Sequence, residues 1–474
     1  MNRLIAARLP LSTVLIVALA GVGLWASSPA GRQPAAIGDA GDVRDFGAVG
    51  DGTADDTAAI QRAVDSGIGS IRFPKGAYRL TKTVVIDLDR VGFTSLVGDG
   101  TASIVMAGPG PAFKFVGTHE GSAAPKTFQD NVWKNQRTPT VDGLEIVGAH
   151  PEAVGVEATG TMQFTATRLV VRKALHAVHL TNRNRNVILS NCHLYENRGI
   201  GVYYDDVDLH QSNIVGCHIS YNGGGGVVSR AGNVRNIHIG TCDIESNHSP
   251  DGEPTANVLI DCAGGVAGTA EVAIVGCTIQ HNHTSPNSAN IRILGLSGEK
   301  DGVPVREGNV TIADNVFSDV QTNVHLRDCK GVTIVGNTFW MGFEHDLLVE
   351  QCSDVVVGPN NLGHNARYSY GDSASARDAV VFRDCTDCTL TGLHINGVKD
   401  APAGLLIERG RRFNITGCTI LDCDGVGLWL KDVSDSRVSD CLIRDDRPDR
   451  KDAVSLRWSN GTGNLIADNL LGGR

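Results

Sequence analysis

The sequence predicts an all-β, single-stranded solenoid, because one short apolar pattern recurs along most of its 474 residues. Each copy has alternating aliphatic residues, a small or amide residue, a variable loop and a second apolar strand. The small or amide positions are Cys192, Cys217, Cys242, Cys277, Asn315, Asn337, Asn360, Cys418 and Cys441, with a degenerate copy at Leu393. Most of these positions lie 22 to 25 residues apart. Such a period is typical of solenoids, in which each unit buries its apolar face only against its neighbours.

The composition suits many short strands and argues against one class of partner. Fifty-seven glycines, with abundant Asn, Asp, Val and Ile, favour short strands joined by tight turns. The net charge of −10 and the lack of a basic patch with interleaved aromatic residues argue against nucleic acid as a partner. A polyanionic substrate would need local Arg or Lys side chains, or a bridging cation, to overcome the negative field.

The N-terminus has the pattern of an export signal. Arg3 and Arg8 precede the apolar run Leu11–Ala26, and small residues follow it. This run of 16 residues is short for a membrane span and suits a signal peptide. We therefore predict a signal peptide over residues 1–30, a flexible leader over residues 31–41 and an exported protein in the periplasm, on the cell surface or secreted. An uncleaved N-terminal anchor is the alternative, and no other membrane contact is predicted.

A short helix is predicted at the start of the mature domain, over residues 54–66. Thr53 and Asp56 have the spacing of a capping box, and an apolar stripe at helical spacing runs from Ala58 to Val64. The end of a solenoid exposes unpaired strand edges, so we expect this helix to cap it.

The same opening segment carries a family resemblance. VRDFGAVGDGTADDTAAIQ, then IRFPKGAYRL and then LVGDG follow one another over residues 42–110. This order resembles the N-terminal signature of the pectate lyase superfamily, in the branch shared by rhamnogalacturonases and epimerase-like proteins. The resemblance implies a right-handed parallel β-helix, continued by the repeats of residues 111–474, and a polysaccharide as substrate or partner.

Two columns of the repeat are interpreted as structural. Most of the twelve cysteines lie on the repeat, six of them at one position of the units and Cys329, Cys352 and Cys385 in a second column, so we interpret them as stacked buried thiols. Disulfides between neighbouring units are the open alternative. Asn197, Asn222, Asn247 and Asn282 follow five residues after the cysteine position. We predict that these amides form a hydrogen-bonded ladder at a turn.

The strand after this turn points alternate residues outward, and aligning its copies gives two outward columns. The first column is His179, Tyr203, Val228, Leu259, Arg292 and His325. The second column is Thr181, Asp205, Arg230, Asp261, Leu294, Arg327, Glu350, Arg383, Glu408 and Lys431. The alternating signs from Arg327 to Glu408 are typical of a charge ladder that stabilises neighbouring strands.

The candidate site lies where the outward columns lose this regular alternation, around the segment YYDDVDLHQ that begins at residue 203. The predicted catalytic residues are Tyr203, Asp205, Asp206, His210 and Arg230. Asp261 and His179 are predicted to contact the substrate, and Asp205, Asp206 and Asp208 are the predicted ligands if Ca²⁺ is used. Glycines 223–226 are predicted to clear space for a bulky ligand.

These residue types match the needs of an enzyme that removes a proton from an acidic sugar. Such an enzyme neutralises the uronate carboxylate, takes the C5 proton with a base and donates a proton from an acid. Arg230, alone or with Ca²⁺, is predicted to neutralise the carboxylate, and His210 or Tyr203 to act as base or acid. A Tyr and an Asp followed by Asp-x-His is similar to the catalytic stretch of alginate C5-epimerases, with a different spacing.

A second-choice site is predicted at strand-entry positions further along the chain. Its residues are Glu344, His345, Asp346 and Asp378. The Asn-Thr-Asp, Asp-Asp, Gly-His-Gly and Arg-x-Lys motifs of polygalacturonases are missing from the corresponding places, which argues against that type of hydrolase.

Taken together, the residues and the resemblance predict an exported carbohydrate-active enzyme that cleaves an acidic polysaccharide by β-elimination or epimerises it. The alternative from another class is a non-catalytic β-helix that binds glycan or serves as a surface scaffold, because this fold hosts both. A glycoside hydrolase is the third possibility.

Overall fold

The computed structural model describes residues 41–121, 124–249, 255–363 and 372–472, and nearly all of its strands belong to one continuous parallel sheet. The sheet winds into a right-handed parallel β-helix, as predicted. Each coil contributes a strand to three successive faces, which we call face 1, face 2 and face 3 in chain order. The predicted signal peptide, 1–30, and all of the predicted leader except Gly41 lie outside the described residues.

The strand bounds follow this three-face order. Face 1 contains Gly41–Asp42, Ser70–Arg72, Thr165–Thr167, Asn233–Gly240, Gly268–Val275, Gly308–Ala313, Lys330–Val335, Ser353–Val357, Thr386–Thr391, Arg411–Thr416, Arg437–Ser439 and Leu465–Ala467. Face 2 contains Asp51–Asp55, Gly76–Leu80, Val170–Arg172, His193–Tyr195, His218–Ser220, Asp243–Glu245, Thr278–Gln280, Val316–Ser318, Thr338–Phe339, Asn361–Gly363, His394–Asn396, Thr419–Leu421, Leu442–Arg444 and Leu470–Leu471. Face 3 contains Val84–Asp87, Gly110–Val116, Ala153–Met162, Gly225–Arg230, Ala256–Asp261, Ala289–Leu294, Val320–Arg327, Gly342–Glu350, Ala379–Arg383, Ala403–Glu408, Val426–Lys431 and Leu456–Ser459.

Four long strands bend around a corner of the helix. Ser95–Met106 and Thr140–Gly148 pass from face 1 to face 2, whereas Val178–Ser190 and Ile200–Val215 pass from face 3 into face 1 of the next coil. An antiparallel hairpin, Leu296–Lys300 with Val303–Arg306, projects from the helix. The helical segments are Val43–Phe46, Thr57–Asp65, Leu88–Val91, Pro125–Thr127, Val132–Gln136 and Ser373–Ser375. No helix of the described residues is long and apolar enough to cross a membrane.

The strand register agrees with the outward columns that the repeat predicts. Tyr203 pairs with His179 on one side and Val228 on the other, and Asp205 pairs with Thr181 and Arg230. The inward residues between them, Leu180, Tyr204 and Ser229, are buried, because side chains alternate between the two faces of a strand.

The cysteine column is confirmed as a stack of buried thiols. All twelve cysteines are free and buried. Within the stack, the Cys217 N–H donates to Cys242 Sγ at 3.5 Å and the Cys242 N–H donates to Cys277 Sγ at 3.4 Å. The Cys277 N–H then donates to Asn315 Oδ1 at 2.9 Å, so sulfur and amide oxygen fill one structural role. Burial raises the pKa of the Cys262 thiol to about 12, which keeps it protonated.

The asparagine ladder is present, but its fourth predicted member is wrong. The hydrogen-bonded amides, in order, are Asn197, Asn222, Asn247, Asn257, Asn290 and Asn323. Asn282 instead accepts hydrogen bonds from Thr284 in a loop. The reason is that the ladder passes from one end of the polar inserts to the other. Asn247 precedes the insert of its coil, and Asn257 follows that insert and bonds to Asn247 and Asn290. In the coil of Asn282 the ladder amide is therefore Asn290, which follows the insert. Counting residues from the cysteine cannot tell which end of an inserted loop supplies the ladder.

The predicted N-terminal helix is confirmed, and it covers the first strand of face 3. The helix spans Thr57–Asp65, and Gln61 both donates to the Val85 carbonyl and accepts from the Val85 N–H, each at 2.9 Å. These two bonds satisfy a strand edge that would otherwise be open. The predicted capping box is wrong, because the Asp56 carboxylate accepts the N–H groups of Val49 and Gly50, at 2.6 and 3.1 Å, and holds the preceding loop.

Candidate active site on face 3

The outward surface of face 3 brings together four of the predicted residues: His179, Tyr203, Asp205 and Arg230. They occupy three successive coils. Tyr203 and Asp205 lie on the middle strand, His179 lies on the strand of the preceding coil and Arg230 on that of the following coil. The alternation of the strand turns Val202 and Tyr204 inward, where both are fully buried. The Tyr204 hydroxyl meets Ser212 Oγ at 2.7 Å inside the core. The inward residues therefore anchor the strand in the core, and the outward residues are available to contact a substrate.

His179 lies between two carboxylates. Its Nε2 is 2.9 Å from Asp205 Oδ2, a hydrogen-bonding distance, and its Nδ1 is 4.0 Å from Glu157 Oε2. Lys114 forms an ion pair with the other oxygen of Glu157 at 2.8 Å. If the Nε2–H donates to Asp205, the lone pair of a neutral His179 lies on Nδ1. This arrangement orients an imidazole as a proton acceptor, and a proton taken up at Nδ1 would face the Glu157 carboxylate.

Tyr203 lies flat against His179. The two rings are stacked with centroids 5.3 Å apart and an interplanar angle of 6°. The pKa of Tyr203 is raised to about 12, chiefly by burial and then by the neighbouring Asp205, while Arg230 acts in the opposite direction. The phenol therefore keeps its proton at neutral pH and is suited to donate it.

His176 closes the other side of this aromatic group. Its ring lies 5.1 Å from Tyr203 and 5.4 Å from His179. Burial lowers its pKa to about 4, and its Nδ1 accepts the Ile200 N–H at 3.1 Å, so the imidazole is neutral and carries its proton on Nε2. His176 is thus a fixed, neutral wall of the site.

Arg230 supplies an exposed positive charge. It lies in register between Asp205 and Asp261, yet among the residues that the structure describes no carboxylate is within ion-pair distance of its guanidinium. Asp261 accepts the Ala263 N–H at 3.1 Å and so also holds the turn that follows its strand. An unpaired guanidinium on an open sheet face is suited to bind a carboxylate in a bidentate fashion.

The structure places the other predicted residues of this segment away from the site. Asp206 has a left-handed backbone (φ 42°) and accepts the Gly232 N–H at 3.1 Å. Asp208 forms an ion pair with Arg183, and His210 lies further around the corner, beside Arg185. Because the strand turns this corner between Asp205 and Asp208, residues that are neighbours in sequence face different directions. His179 therefore replaces His210 as the histidine of the site.

The predicted Ca²⁺ ligands do not form a metal centre. Asp205 faces His179, Asp206 holds a backbone N–H and Asp208 is neutralised by Arg183. No three His, Cys, Asp or Glu side chains of the described ranges converge to hold a metal ion. The donor set therefore does not fit a Ca²⁺ site, for which several oxygen ligands must surround one point.

The glycines at 223–226 have a packing role instead of the predicted one. A Cβ on Gly226 would lie 2.4 Å from the Asn257 carbonyl oxygen and 2.9 Å from Asn247 Nδ2. A Cβ on Gly223 would lie 2.6 Å from the Arg198 carbonyl oxygen. Successive coils approach closely beside the asparagine ladder, and only glycine fits there. The glycines therefore do not clear space for a ligand.

The second-choice residues separate into three environments. Glu344 is exposed and forms an ion pair with Arg377 at 2.6 Å. Burial lowers the pKa of His345 to about 4, with the Arg383 charge as a further cause. Asp346 is fully buried and accepts the last amide of the ladder, Asn323, at 2.7 Å.

The Asp346 carboxyl is a structural end to the asparagine ladder. Burial raises its pKa well above the usual range, and the nearby Asp378 carboxyl raises it further. Asp378 is itself buried and accepts the Gly342 N–H at 2.8 Å. These two carboxyls hold loop and ladder groups within the core, so the four residues do not form a second open site.

The sequence pattern misses three residues of the site. His176 lies in the turn before the strand of His179, outside the alternating positions. Glu157 and Lys114 belong to the same outward column, with Glu157 in register with His179 and Lys114 in register with Glu157. Their coils precede the clear copies of the repeat, so only an extension of the column to earlier coils would have found them.

The fold and the N-terminal match define the class of this protein: it is a pectate-lyase-like, right-handed parallel β-helix. Residues 41–138 match the family described as Rhamnogalacturonase A/epimerase, pectate lyase-like. The match agrees with the resemblance found over residues 42–110. Residues 264–474 match the family described as Periplasmic copper-binding protein (NosD).

Relatives and solved structures cover the chain to different extents. A stretch of 43 residues is 54% identical to the mannuronan C5-epimerases AlgE5 and AlgE2 of Azotobacter vinelandii, covering 8% of this chain and 4% of each relative. The A-module of the mannuronan C-5 epimerase AlgE6 from the same organism is 14% identical with a TM-score of 0.43, over 91% of this chain and 99% of that one. The tailspike protein gp49 of Pseudomonas phage LKA1 is 13% identical with a TM-score of 0.49, over 91% of this chain and 81% of that one.

The residues that match the copper-binding family do not fit a copper site. Copper in proteins is held by converging imidazole and sulfur ligands. The cysteines of residues 264–474 are buried among aliphatic side chains, and no group of three metal-ligating side chains converges in the described part of this region.

Proposed function

We propose that this protein acts on an acidic polysaccharide by removing the C5 proton of a uronate residue on face 3, leading to β-elimination or epimerisation. The observation that carries this proposal is the His179–Asp205 hydrogen bond beside a protonated Tyr203 and an unpaired Arg230. A base, an acid and a cation thus lie on one open surface, which is the set that this chemistry requires.

Each side chain has one role in the proposed reaction. The Arg230 guanidinium pairs with the uronate carboxylate and stabilises the negative charge that develops as C5 loses its proton. His179 Nδ1 takes that proton, with Asp205 orienting the ring and Glu157 facing the imidazolium that forms. In elimination, the C4–O bond breaks, a C4–C5 double bond forms and Tyr203 gives its proton to the leaving oxygen. In epimerisation, Tyr203 gives its proton to the opposite face of C5.

The substrate class is supported by the comparisons and by the charge of the site. The matching families and relatives are described as rhamnogalacturonase, epimerase and mannuronan C5-epimerase, and the relatives' activity is carried to this chain only as part of the proposal. An exposed cation on a chain of net charge −10 favours an anionic sugar at this place. The signal-like pattern of residues 1–30 supports export of the protein, which would place it with extracellular or periplasmic glycans.

The test is C5 proton exchange in D₂O. The full chain is incubated with polymannuronate, polygalacturonate and chondroitin, and deuterium at C5 is followed by NMR, while ultraviolet absorbance detects unsaturated uronate. Ultraviolet absorbance from the C4–C5 double bond, with loss of the C5 proton, identifies a lyase, and deuterium incorporation at C5 without absorbance identifies an epimerase. Tyr203→Phe should reduce turnover by about 100-fold or more, the usual contribution of a general acid. Tyr195→Phe, on face 2, is the matched control and should keep wild-type turnover.

Several outcomes contradict the proposal. New reducing ends without deuterium or absorbance would indicate hydrolysis. Binding of these polymers with neither exchange at C5 nor ultraviolet absorbance nor new reducing ends would support the non-catalytic, glycan-binding alternative. Equal loss of activity in the face 2 control would place the catalytic surface elsewhere.

A further inference from the structure

The corner between face 3 and face 1 contains a cationic cluster that the proposed reaction does not use. Arg185 and His210 are in register on successive coils, and Arg235 follows on the next coil. Arg183 is neutralised by Asp208, and Arg235 donates to three backbone carbonyls and lies 3.6 Å from Glu307. Of these arginines, Arg185 is the one whose charge has no carboxylate partner within the described ranges.

The Arg185 guanidinium is buried and its hydrogen-bonding capacity is not satisfied. The residue is 9% exposed, and its Nε and Nη1 have no hydrogen-bond partner. The Phe128 ring lies over the guanidinium at 4.9 Å, but a cation–π contact acts on the face of the group and leaves the in-plane N–H donors unpaired. Burying a charged donor without a partner is strongly unfavourable. A bound anion would remove this cost.

Two more buried polar atoms without partners lie beside Arg185. They are Asn186 Oδ1 and His210 Nδ1. Burial lowers the pKa of His210, and the Arg185 charge lowers it further, so the imidazole is neutral and can donate through Nδ1. A carboxylate that accepts from Arg185 and His210 would satisfy both, and a neighbouring hydroxyl would satisfy Asn186.

An open groove of polar side chains adjoins this cluster on face 1. Its volume is about 360 Å³, and its lining residues are Asn186, Ile188, Gln211, Asn213, Asn236 and His238. Amide side chains both donate and accept, which suits the hydroxyls of a sugar ring. Gln211 follows His210 directly, is exposed and makes no side-chain hydrogen bond within the described residues, so its amide is available to a ligand in the groove.

We infer that Arg185 and His210 bind the carboxylate of an acidic sugar residue whose hydroxyls contact the amides of the adjoining groove. This would be a second contact for the glycan, one corner away from His179 and Arg230. The inference rests on the proposed substrate class but not on the proposed reaction.

The test is calorimetric titration of the full chain with trimannuronate, with neutral mannotriose and with sodium sulfate. Arg185→Gln should weaken trimannuronate binding by about tenfold or more, since a charge-assisted bidentate contact is lost. His210→Gln should weaken it in the same direction. Arg412→Gln removes the same charge from an exposed arginine that is paired with Asp387 on a distant coil, and it should bind as the wild type does.

Each result decides the inference separately from the reaction. Wild-type affinity in Arg185→Gln and His210→Gln would overturn the site, even if C5 exchange continues. If mannotriose binds as tightly as trimannuronate, the inferred carboxylate contact is wrong. If sulfate binds as tightly as trimannuronate, the site recognises an anion and the inferred contact with sugar hydroxyls is wrong. Loss of trimannuronate binding in both variants, with unchanged melting temperatures, would support the site even if the wild type shows neither C5 exchange nor elimination. A lower melting temperature in Arg185→Gln would overturn the claim that this guanidinium lacks a structural partner.

Discussion

Two regions of face 3 carry outward charges in the same column, and they use them differently. From Glu350 to Lys431 the charges pair along the coils: Glu350 meets Arg383 at 3.2 Å, Arg383 meets Glu408 at 3.5 Å and Glu408 meets Lys431 at 2.6 Å. Arg327, at the start of the predicted ladder, instead meets its neighbour Asp328 at 3.7 Å. Around Asp205 the same column offers a histidine contact and an unpaired Arg230. Paired charges contribute to stability and have little left for a ligand. Charges without partners contribute little to the fold and are available for one.

The largest expected effect separates these two regions by activity. Arg230→Ala should lower kcat/KM for C5 proton exchange by at least about 100-fold, because the charge that stabilises the developing anion is removed. Its melting temperature should stay at the wild-type value, since Arg230 makes no ion pair with the described residues. The matched control is Arg383→Ala in the paired region, which should keep full activity and lose about 1 kcal/mol of unfolding free energy or less. Full activity in Arg230→Ala with loss of activity in Arg383→Ala would show that the paired and unpaired regions do not differ in this way.

A second contrast concerns the asparagine ladder behind both regions. Asn222 is fully buried and bonds to Asn197, Asn247 and the Leu194 carbonyl. Asn222→Ala should cost about 3 kcal/mol, because several buried groups lose their partners. Asn282→Ala should stay within about 0.5 kcal/mol, since its amide serves only an exposed loop. Chemical unfolding measures the free energy of unfolding of both variants. An equal loss in the two would indicate that Asn282, like Asn222, belongs to the ladder.

The ladder's last member gives a pH-dependent effect. The pKa of Asp346 is raised in the folded protein, so its protonated form is favoured there. Its contribution to stability is therefore complete below the unfolded pKa, near 3.8, and is lost as the pH rises through the folded pKa. Asp346→Asn keeps a neutral acceptor for Asn323, so it should be more stable than the wild type at pH 8, by about 1 kcal/mol or more. If the free energy of unfolding of Asp346→Asn depends on pH between 4 and 8 just as that of the wild type does, this prediction is wrong.

The smallest effect is expected in the paired region itself. Glu408 contacts Arg383, Arg409 and Lys431, and its pKa is lowered chiefly by the Lys431 hydrogen bond. Its contribution is present above the unfolded pKa and is lost as the pH falls through the folded pKa. Glu408→Gln should cost about 1 kcal/mol at pH 7, and less in 1 M salt, which screens such pairs. A larger loss in salt would mean that packing, not charge, stabilises this ladder.

The fold could be predicted from the sequence because its repeat is local. The position of Cys217 relative to its own strand fixes its place in the stack, and the outward register of Tyr203 and Arg230 follows from counting by twos. The counting fails where the chain leaves regular strand. In the coil of Asn282 the ladder amide is Asn290, because an inserted loop can supply the ladder from either end.

The site could be predicted only in part for a similar reason. Tyr203, Asp205 and His179 lie on one straight strand pair, so alternation brings them to one surface. Asp208 and His210 lie beyond a corner, where the left-handed backbone of Asp206 changes the direction of the chain. His176 takes its role from ring packing between coils, and no sequence pattern encodes that contact.

The labelling rates of the stacked thiols can report how often individual coils open. Every cysteine is shielded in the folded protein, so a thiol reagent reacts only when its coil opens. Because a solenoid's coils contact only their neighbours, each cysteine can report its own stretch. Labelling followed by peptide mapping would therefore rank the coils from Cys192 to Cys441 by their lifetimes, without a single substitution.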